Sequence, residues 1–244
     1  MPALRHLLVA VVVAAVAAVS PAIPAGAIAH GSAVPDGRYR FAVELTMTDI
    51  PRPDGSHHDS WCSGALVARR WVITAGHCFH DAARNRVGGP VPYPTTATVG
   101  GHVVDVVEVR QAPAGDVALA KLAAPVRDVR RLQISPRAPR PGNLLRLVGW
   151  GSLTADNPTP ATRLQTGQFR VSTVTATTAG VTGYAPAPDT SACLYDSGAP
   201  YFAERGGHYR LVSVESTGPD CPHAQEETTA RVDVLASWIR RTAR

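Results

Sequence analysis

The chain has 244 residues, of which 45% are hydrophobic and 18% are charged, and its formal net charge is +5. A chain of this length and apolar content can bury a substantial core, which excludes an intrinsically disordered protein. The charge is mild and falls by one, to +4, without residues 1–27, which hold Arg5 and no acidic residue. The 21 glycines and 21 prolines favour short strands joined by turns, and therefore an all-β fold.

Residues 1–27 have the pattern of a secretory signal peptide. A basic start at Arg5 and His6 precedes an apolar run over residues 7–19, and an Ala-Gly-Ala cleavage site ends at Ala27. The apolar run is too short to span a bilayer. We therefore expect a secreted, extracellular protein that has no attachment to a membrane once this peptide is removed.

Short segments with strand-like patterns follow in the first half of the mature chain. Residues 39–46, 63–68, 71–74 and 102–109 are rich in apolar and β-branched side chains and lie between turn residues. Helical periodicity is mostly missing from this part of the sequence. These segments predict a β-rich first half.

The second half begins after a stretch rich in arginine and proline, at residues 127–140. We interpret this stretch as a solvated connector rather than a nucleic-acid-binding patch, because prolines interrupt its charges. No nucleic-acid partner is therefore expected. At the other end of this half, residues 232–243 predict a closing helix with four apolar side chains on one face: Val234, Leu235, Trp238 and Ile239.

Four cysteines, an even number, fit two disulfides in an exported protein. Three pairings of Cys62, Cys78, Cys193 and Cys221 are possible from the sequence. A zinc site is a poor alternative, since no Cys-x-x-Cys spacing occurs. The histidine pair at residues 57–58 also lacks spaced ligands, and we interpret it as part of a flexible surface loop rather than a metal site.

Three separated motifs together indicate a nucleophilic hydrolase. His77 follows an apolar strand, Asp116 lies between a glycine and an apolar run, and Ser197 lies in an Asp-Ser-Gly turn. A serine hydroxyl needs an imidazole to take its proton, and the imidazole needs a carboxylate to fix its tautomer. The order His, Asp, Ser separates this chain from subtilisin-like and α/β-hydrolase enzymes.

With these motifs, the chain from Ile28 to its C-terminus resembles the chymotrypsin/trypsin family of serine endopeptidases, of the secreted, bacterial type. The resemblance implies two six-stranded antiparallel β-barrels and a short C-terminal helix. We expect residues 28–130 to form the first barrel, and residues 131–244 the second barrel and the helix. A peptide or protein substrate, a monomer and no cofactor or metal are also implied.

The resemblance assigns roles to individual residues. Ser197 is the expected nucleophile, His77 the general base and then acid, and Asp116 the residue that orients His77. The backbone N–H groups of Tyr195 and Ser197 would form the oxyanion hole, although the family usually has a glycine where Tyr195 stands. We expect this tyrosine to reduce or narrow the activity rather than abolish it.

Two further sets of contacts are implied. The α-amino group of Ile28, freed by cleavage after Ala27, would pair with Asp196. The disulfides would join Cys62 to Cys78 and Cys193 to Cys221.

The primary substrate pocket would include Ser191, Ala192 and the segment Ser216, Thr217 and Gly218. No acid stands at the expected base of this pocket, which favours apolar or aromatic substrate side chains. Glu227 lies near a wall position, and we expect its side chain to point outward into solvent, as glutamates usually do. If it pointed inward, it could attract basic side chains.

Two other functions fit the same fold. A protease-like binding protein would have lost useful turnover through Tyr195, and an esterase would use the same nucleophile on small esters. The intact set of His77, Asp116 and Ser197 favours the peptidase.

Overall fold

The computed structural model describes residues 28–244. The predicted signal peptide, residues 1–27, lies outside the described residues. Fifteen strands, two 3₁₀ turns and one α-helix make up the regular structure of the described part. The all-β prediction is therefore confirmed.

The strands and the helix have the following bounds in chain order. They are β1 (Ser32–Ala33), β2 (Ala42–Pro51), β3 (His57–Ala68), β4 (Trp71–Thr74), β5 (Gly89–Pro90), β6 (Thr95–Val99), β7 (His102–Gln111), β8 (Ala118–Leu122), β9 (Gln133–Ile134), β10 (Leu144–Gly149), β11 (Gln165–Val174), β12 (Thr178–Ala185), β13 (Pro200–Arg205), β14 (His208–Thr217), β15 (Glu227–Arg231) and α1 (Ala236–Thr242).

The first barrel contains six strands and closes on itself. These strands pair in the order β7, β6, β2, β3, β4, β8, and β8 pairs back to β7. In β6 the side chains of Thr95, Ala97 and Val99 are buried while Thr96 and Thr98 are half-buried. This two-residue alternation is what a strand with one face on a core requires.

The second barrel closes in the same way. Its strands pair in the order β11, β10, β13, β14, β15, β12, and β12 pairs back to β11. The two six-stranded barrels confirm the predicted fold class. However, Ser32 of β1 pairs with Thr166 of β11, so the start of the described chain lies on the second barrel. The predicted division, which gave residues 28–130 to the first barrel, is wrong for this segment.

The chain ends in the predicted helix. A 3₁₀ turn over Asp233–Leu235 leads into α1, and both Leu235 and Ile239 are buried in the larger hydrophobic core. Val234 does not join them and is 46% exposed. The tighter period of the 3₁₀ turn rotates it away from the apolar face that a continuous α-helix would have formed.

Both predicted disulfides are present, Cys62 with Cys78 and Cys193 with Cys221. The predicted surface loop around His57 and His58 is wrong, because these residues begin strand β3. Within residues 28–244, no helix has the length and apolar character needed to cross a membrane.

Candidate active site

Both barrels contribute to one cleft. The buried strand β4 leads into a 3₁₀ turn over Gly76–Cys78, whose middle residue is His77. Asp116 lies in the connection from β7 to β8, and Ser197 lies in the connection from β12 to β13. The first barrel therefore holds the imidazole and the carboxylate, and the second holds the hydroxyl.

The three predicted side chains form a continuous hydrogen-bonded chain. His77 Nδ1 lies 2.6 Å from Asp116 Oδ2, and His77 Nε2 lies 2.9 Å from Ser197 Oγ. The acidic acceptor at Nδ1 selects the tautomer with the proton on Nδ1, which leaves Nε2 free to accept from the serine. The geometry is that of a hydroxyl ready to lose its proton to an imidazole.

Asp116 is held by more than His77. Its Oδ1 accepts from the backbone N–H of His77 at 2.9 Å, and its Oδ2 accepts from the hydroxyl of Ser216 at 2.7 Å. Burial acts to raise the pKa of Asp116, but the hydrogen bonds from His77 and Ser216 outweigh it and lower the pKa. The sequence predicted Ser216 as a pocket residue and missed this contact with Asp116.

The two predicted oxyanion donors are available. Within residues 28–244, neither the backbone N–H of Tyr195 nor that of Ser197 is engaged in a hydrogen bond. The carbonyl of Leu194 accepts from the N–H of Ser152 at 2.6 Å, and the carbonyl of Tyr195 accepts from the Ser63 hydroxyl at 3.1 Å. These bonds fix the peptide groups on both sides of Tyr195.

Tyr195 has a φ of +76°, in the left-handed region that favours glycine. Its ring packs edge-on against Trp61, with 5.3 Å between ring centroids, and its hydroxyl donates to the carbonyl of Pro158 at 3.3 Å. The side chain is therefore anchored along the cleft wall while its backbone N–H stays free.

Comparison with known proteins agrees with this geometry. The sequence profile of the Trypsin family matches residues 28–239. The chain belongs to the trypsin family. It is 29% identical to serine protease 56 of Homo sapiens, over 88% of this chain and 38% of that protein. It is 27% identical to trypsin of Sarcophaga bullata, over 86% of this chain and 90% of that protein. It is also 27% identical to trypsin epsilon of Drosophila erecta, over 86% of this chain and 89% of that protein.

Asp196, next to Ser197 in this trypsin-family chain, is completely buried. Its carboxylate accepts from the backbone N–H of Gly151 at 2.9 Å and from that of Cys193 at 3.0 Å. A side chain at Gly149 or Gly151 would collide with this carboxylate, which explains both glycines of the Gly-Trp-Gly segment. Burial raises the pKa of Asp196 to about 7.

Ile28 is also fully buried, and the following residue, Ala29, forms a β-bridge with Ser191. The N-terminal segment of the trypsin-family domain is thereby tied to the wall of the primary pocket.

The primary pocket is a cavity of about 210 Å³ that opens beside Ser197. Of the predicted pocket residues, five line this cavity: Ala192, Ser216, Thr217, Gly218 and Glu227. Ser191 does not line it. Its side chain is buried behind the wall, where its hydroxyl accepts from the backbone N–H of His223 at 3.2 Å.

Glu227 points inward, so the expectation of a solvated side chain is wrong. It is 1% exposed, and its Oε1 accepts from the backbone N–H of Ala192 at 2.7 Å. The exposed glutamate is its neighbour Glu226, whose carboxylate accepts from the hydroxyls of Ser172 and Thr173. Adjacent residues at the start of a strand face opposite sides, and here the second glutamate faces the pocket.

A second buried glutamate, Glu215, lines the same cavity and was not predicted. It is 3% exposed. Within the described residues, one carboxyl oxygen of Glu215 and one of Glu227 have no hydrogen-bond partner, and neither glutamate has a lysine or arginine partner. Burial raises the pKa of Glu227 to about 7, and burial and the charge of Glu227 raise that of Glu215 further above its usual range. The two carboxyls therefore titrate as a coupled pair and carry at most one negative charge between them near neutral pH.

Proposed function

We propose that this protein is a secreted serine endopeptidase that cleaves peptide or protein substrates as an extracellular monomer. The observation that carries the proposal is the pair of short contacts from His77, 2.9 Å to Ser197 and 2.6 Å to Asp116. A serine and a histidine without a catalytic role do not require this hydrogen-bonded alignment of hydroxyl, imidazole and carboxylate, whereas acyl transfer from a serine hydroxyl does.

The proposed reaction passes through an acyl-enzyme. Ser197 Oγ attacks the substrate carbonyl carbon as its proton moves to His77 Nε2, and the oxyanion is held by the N–H groups of Tyr195 and Ser197. His77 then donates that proton to the leaving amine as the C–N bond breaks. A water molecule, losing its proton to His77, attacks the ester carbonyl, and the proton returns to Ser197 as the acid product leaves.

The charge of the primary pocket supports a preference for lysine or arginine on the acyl side of the cleaved bond. Glu215 and Glu227 line the cavity, and two of their buried oxygens are unpaired. A basic side chain entering the pocket would supply the missing partner for a desolvated charge. This preference replaces the apolar or aromatic preference inferred from the sequence.

The buried Asp196 supports a proposed ion pair with the α-amino group of Ile28. Both residues are fully buried, and the pKa of Asp196, raised to about 7, indicates that its charge lacks a partner. Cleavage after Ala27 by signal peptidase would create the amino group directly. Edman sequencing of secreted material should give Ile28 as the first residue, and a different start would refute direct activation by this cleavage.

The test of the proposed function is labelling of the secreted protein with a fluorophosphonate, beside the variants Ser197→Ala and His77→Ala, followed by digestion of a mixed peptide library. We expect labelling of the parent protein alone and cleavage of peptides. Labelling and ester hydrolysis without peptide cleavage would indicate an esterase. No labelling of folded protein that starts at Ile28 would indicate a binding protein without turnover.

A further inference from the structure

A second cavity, of about 150 Å³, also borders Ser197, and its lining shares only Leu194 and Ser197 with that of the primary pocket. We call it the leaving-group pocket, because it adjoins His77, the residue that would protonate the departing amine. Its polar and aromatic wall is formed by His58, Trp61, His80, Arg84 and Tyr195. No acidic residue of the described part of the chain lines it.

Arg84 is held in this pocket by a specific contact. Its guanidinium lies 2.8 Å from Nε2 of His80, whose Nδ1 lies 2.8 Å from the carbonyl oxygen of Asp81. An arginine can only donate and a carbonyl can only accept, so His80 carries its proton on Nδ1 and is neutral. The His80 residue is 5% exposed, which makes it a fixed support for the guanidinium.

The charge of Arg84 is not matched by the protein. Within residues 28–244, no carboxylate forms a salt bridge with Arg84. Asp81 lies three residues away, but its carboxylate accepts from the backbone and side-chain amides of Asn85 instead. His58 adds a second polar group to the pocket, and its Nδ1 is buried without a hydrogen-bond partner in the described chain. A cation and a buried polar nitrogen thus face the same small cavity.

We propose that Arg84, positioned by His80, binds a carboxylate carried one or two residues after the scissile bond. This proposal rests on the proposed endopeptidase function. Within residues 28–244, the primary pocket is lined by Glu215, Glu227 and the exposed Asp220 and by no cation, whereas the leaving-group pocket is lined by Arg84 and by no acid. The cleft therefore carries opposite charges in its two pockets, and it fits a substrate with a basic residue before the cleaved bond and an acidic residue soon after it.

Two chemical sources could supply the carboxylate. One is an aspartate or glutamate side chain, and the other is the free C-terminus of a short leaving segment. Arg84 would bind either through charge-assisted hydrogen bonds. Peptides that differ only in these two features separate the sources.

The test uses internally quenched peptides with arginine before the cleaved bond, and with Asp, Asn, Lys or Ala at each of the next two positions. These peptides have an amidated C-terminus distant from the cleaved bond. One additional Ala peptide ends two residues after the bond with a free carboxylate. The parent protein is compared with Arg84→Gln, Arg84→Glu and the control Arg130→Gln. Arg130 is exposed, lines neither pocket and forms no salt bridge within residues 28–244.

We expect kcat/KM for the Asp peptide to exceed that for the Asn peptide by about tenfold at low salt, because one charge-assisted contact at a partly exposed site supplies about that factor. The ratio should approach one in Arg84→Gln, and Arg84→Glu should prefer the Lys peptide. Arg130→Gln should behave as the parent. If only the short peptide with the free C-terminus is favoured, the carboxylate is a chain terminus rather than a side chain.

Arginine coupled directly to aminomethylcoumarin separates failure of this proposal from failure of the proposed function. This substrate has no residue after the scissile bond. If the parent and all Arg84 variants cleave it equally but none discriminates between Asp, Asn and Lys, and the free-terminus peptide gains nothing, the role of Arg84 is refuted. If no protein cleaves it or any peptide, the proposed function itself has failed.

Discussion

Replacing Glu227 by glutamine removes the buried charge at this wall of the primary pocket while keeping the shape of the pocket. The glutamine carbonyl can still accept the 2.7 Å hydrogen bond from the N–H of Ala192. In the variant Glu215 no longer feels the charge of Glu227, but burial, the largest cause of its raised pKa, remains and keeps that pKa above its usual range. The variant therefore lacks the buried charge of Glu227, and a lysine or arginine side chain would enter the pocket without that counter-charge, while the exposed Asp220 that also lines the cavity is unchanged.

The size of the effect follows from one buried charge-assisted contact. Such a contact contributes about 1.5 to 3 kcal/mol, and each 1.4 kcal/mol changes a rate ratio tenfold. Glu227 is 1% exposed, so solvent and salt screen the interaction little. We expect kcat/KM for arginine and lysine substrates to fall roughly 10- to 150-fold, while that for phenylalanine substrates stays level or rises.

The assay compares tripeptide aminomethylcoumarin substrates that end in Arg, Lys, Phe or Leu. Glu226→Gln is the matched control, because Glu226 is the neighbouring glutamate whose carboxylate lies outside the pocket. An arginine-to-phenylalanine ratio that does not change in Glu227→Gln, or that falls equally in Glu226→Gln, would refute the role of Glu227.

The same substrates give a pH test of the Glu227 carboxyl. Deprotonation creates the charge, so the arginine-to-phenylalanine ratio of kcat/KM should rise with pH through the pKa of Glu227, which is about 7. Taking the ratio cancels any pH dependence of the chemical step that the two substrates share. In Glu227→Gln the ratio should be flat over this range.

Other expected outcomes concern the hydroxyl beside Asp116, the backbone at residue 195 and the buried Asp196. Ser216→Ala should lower kcat/KM about tenfold by removing a hydrogen bond to a carboxylate, whereas Ser213→Ala, which removes a buried hydroxyl without a partner, should leave it unchanged. Tyr195→Gly should relieve about 1–2 kcal/mol of left-handed backbone cost and lose a similar amount in ring packing, so denaturant unfolding should change by less than about 1 kcal/mol. Its kcat should stay within about tenfold of the parent, and a change of 10² or more would show that the tyrosine distorts the oxyanion donor. Burial raises the pKa of Asp196 to about 7, so the folded protein holds this proton more tightly than the unfolded chain does. The free energy of unfolding should therefore be highest below about pH 4 and should fall as the pH rises to about 7 and the buried carboxyl ionises. In urea titrations of Ser197→Ala protein, this loss of unfolding free energy should be on the order of 2–4 kcal/mol when the amino group of Ile28 is acetylated. It should be much smaller when that amino group is free, and equal losses in the two forms would refute the Ile28–Asp196 ion pair.

The residues proposed to carry the reaction could be predicted because each lies in a short local motif. His77 follows a buried strand that was predicted with its observed bounds, and the order of His77, Asp116 and Ser197 limits the fold class. Which side chains of a strand face the primary pocket could not be predicted in the same way. Glu226 and Glu227 are adjacent and chemically identical, and only the register of β15 against β12 decides which one is buried.

Glu215 and Arg84 were missed for different reasons. Glu215 ends a run of five buried residues in β14, where both strand faces are covered and no alternation marks the inward side. An acid at the end of an apolar strand was still a usable signal, because such a charge needs a partner or a function. Arg84 lies in an irregular turn, with a φ of +69°, and its place beside His77 depends on the path of the chain between β4 and β5.

The opposite charges of the two pockets beside Ser197 allow a final test of whether the cleft selects two substrate residues independently. Of the residues that line the primary and leaving-group pockets, only Leu194 and Ser197 belong to both. Glu227 and Arg84 each line only one of the two pockets, and substitutions of residues that do not contact each other usually have additive energies. For a peptide with arginine before the bond and aspartate after it, the double variant Glu227→Gln with Arg84→Gln should therefore lose the product of the two single losses in kcat/KM. A loss no larger than that of one variant would mean that both groups act through a single binding event. The selection of the two residues would then be one property of the cleft and not two.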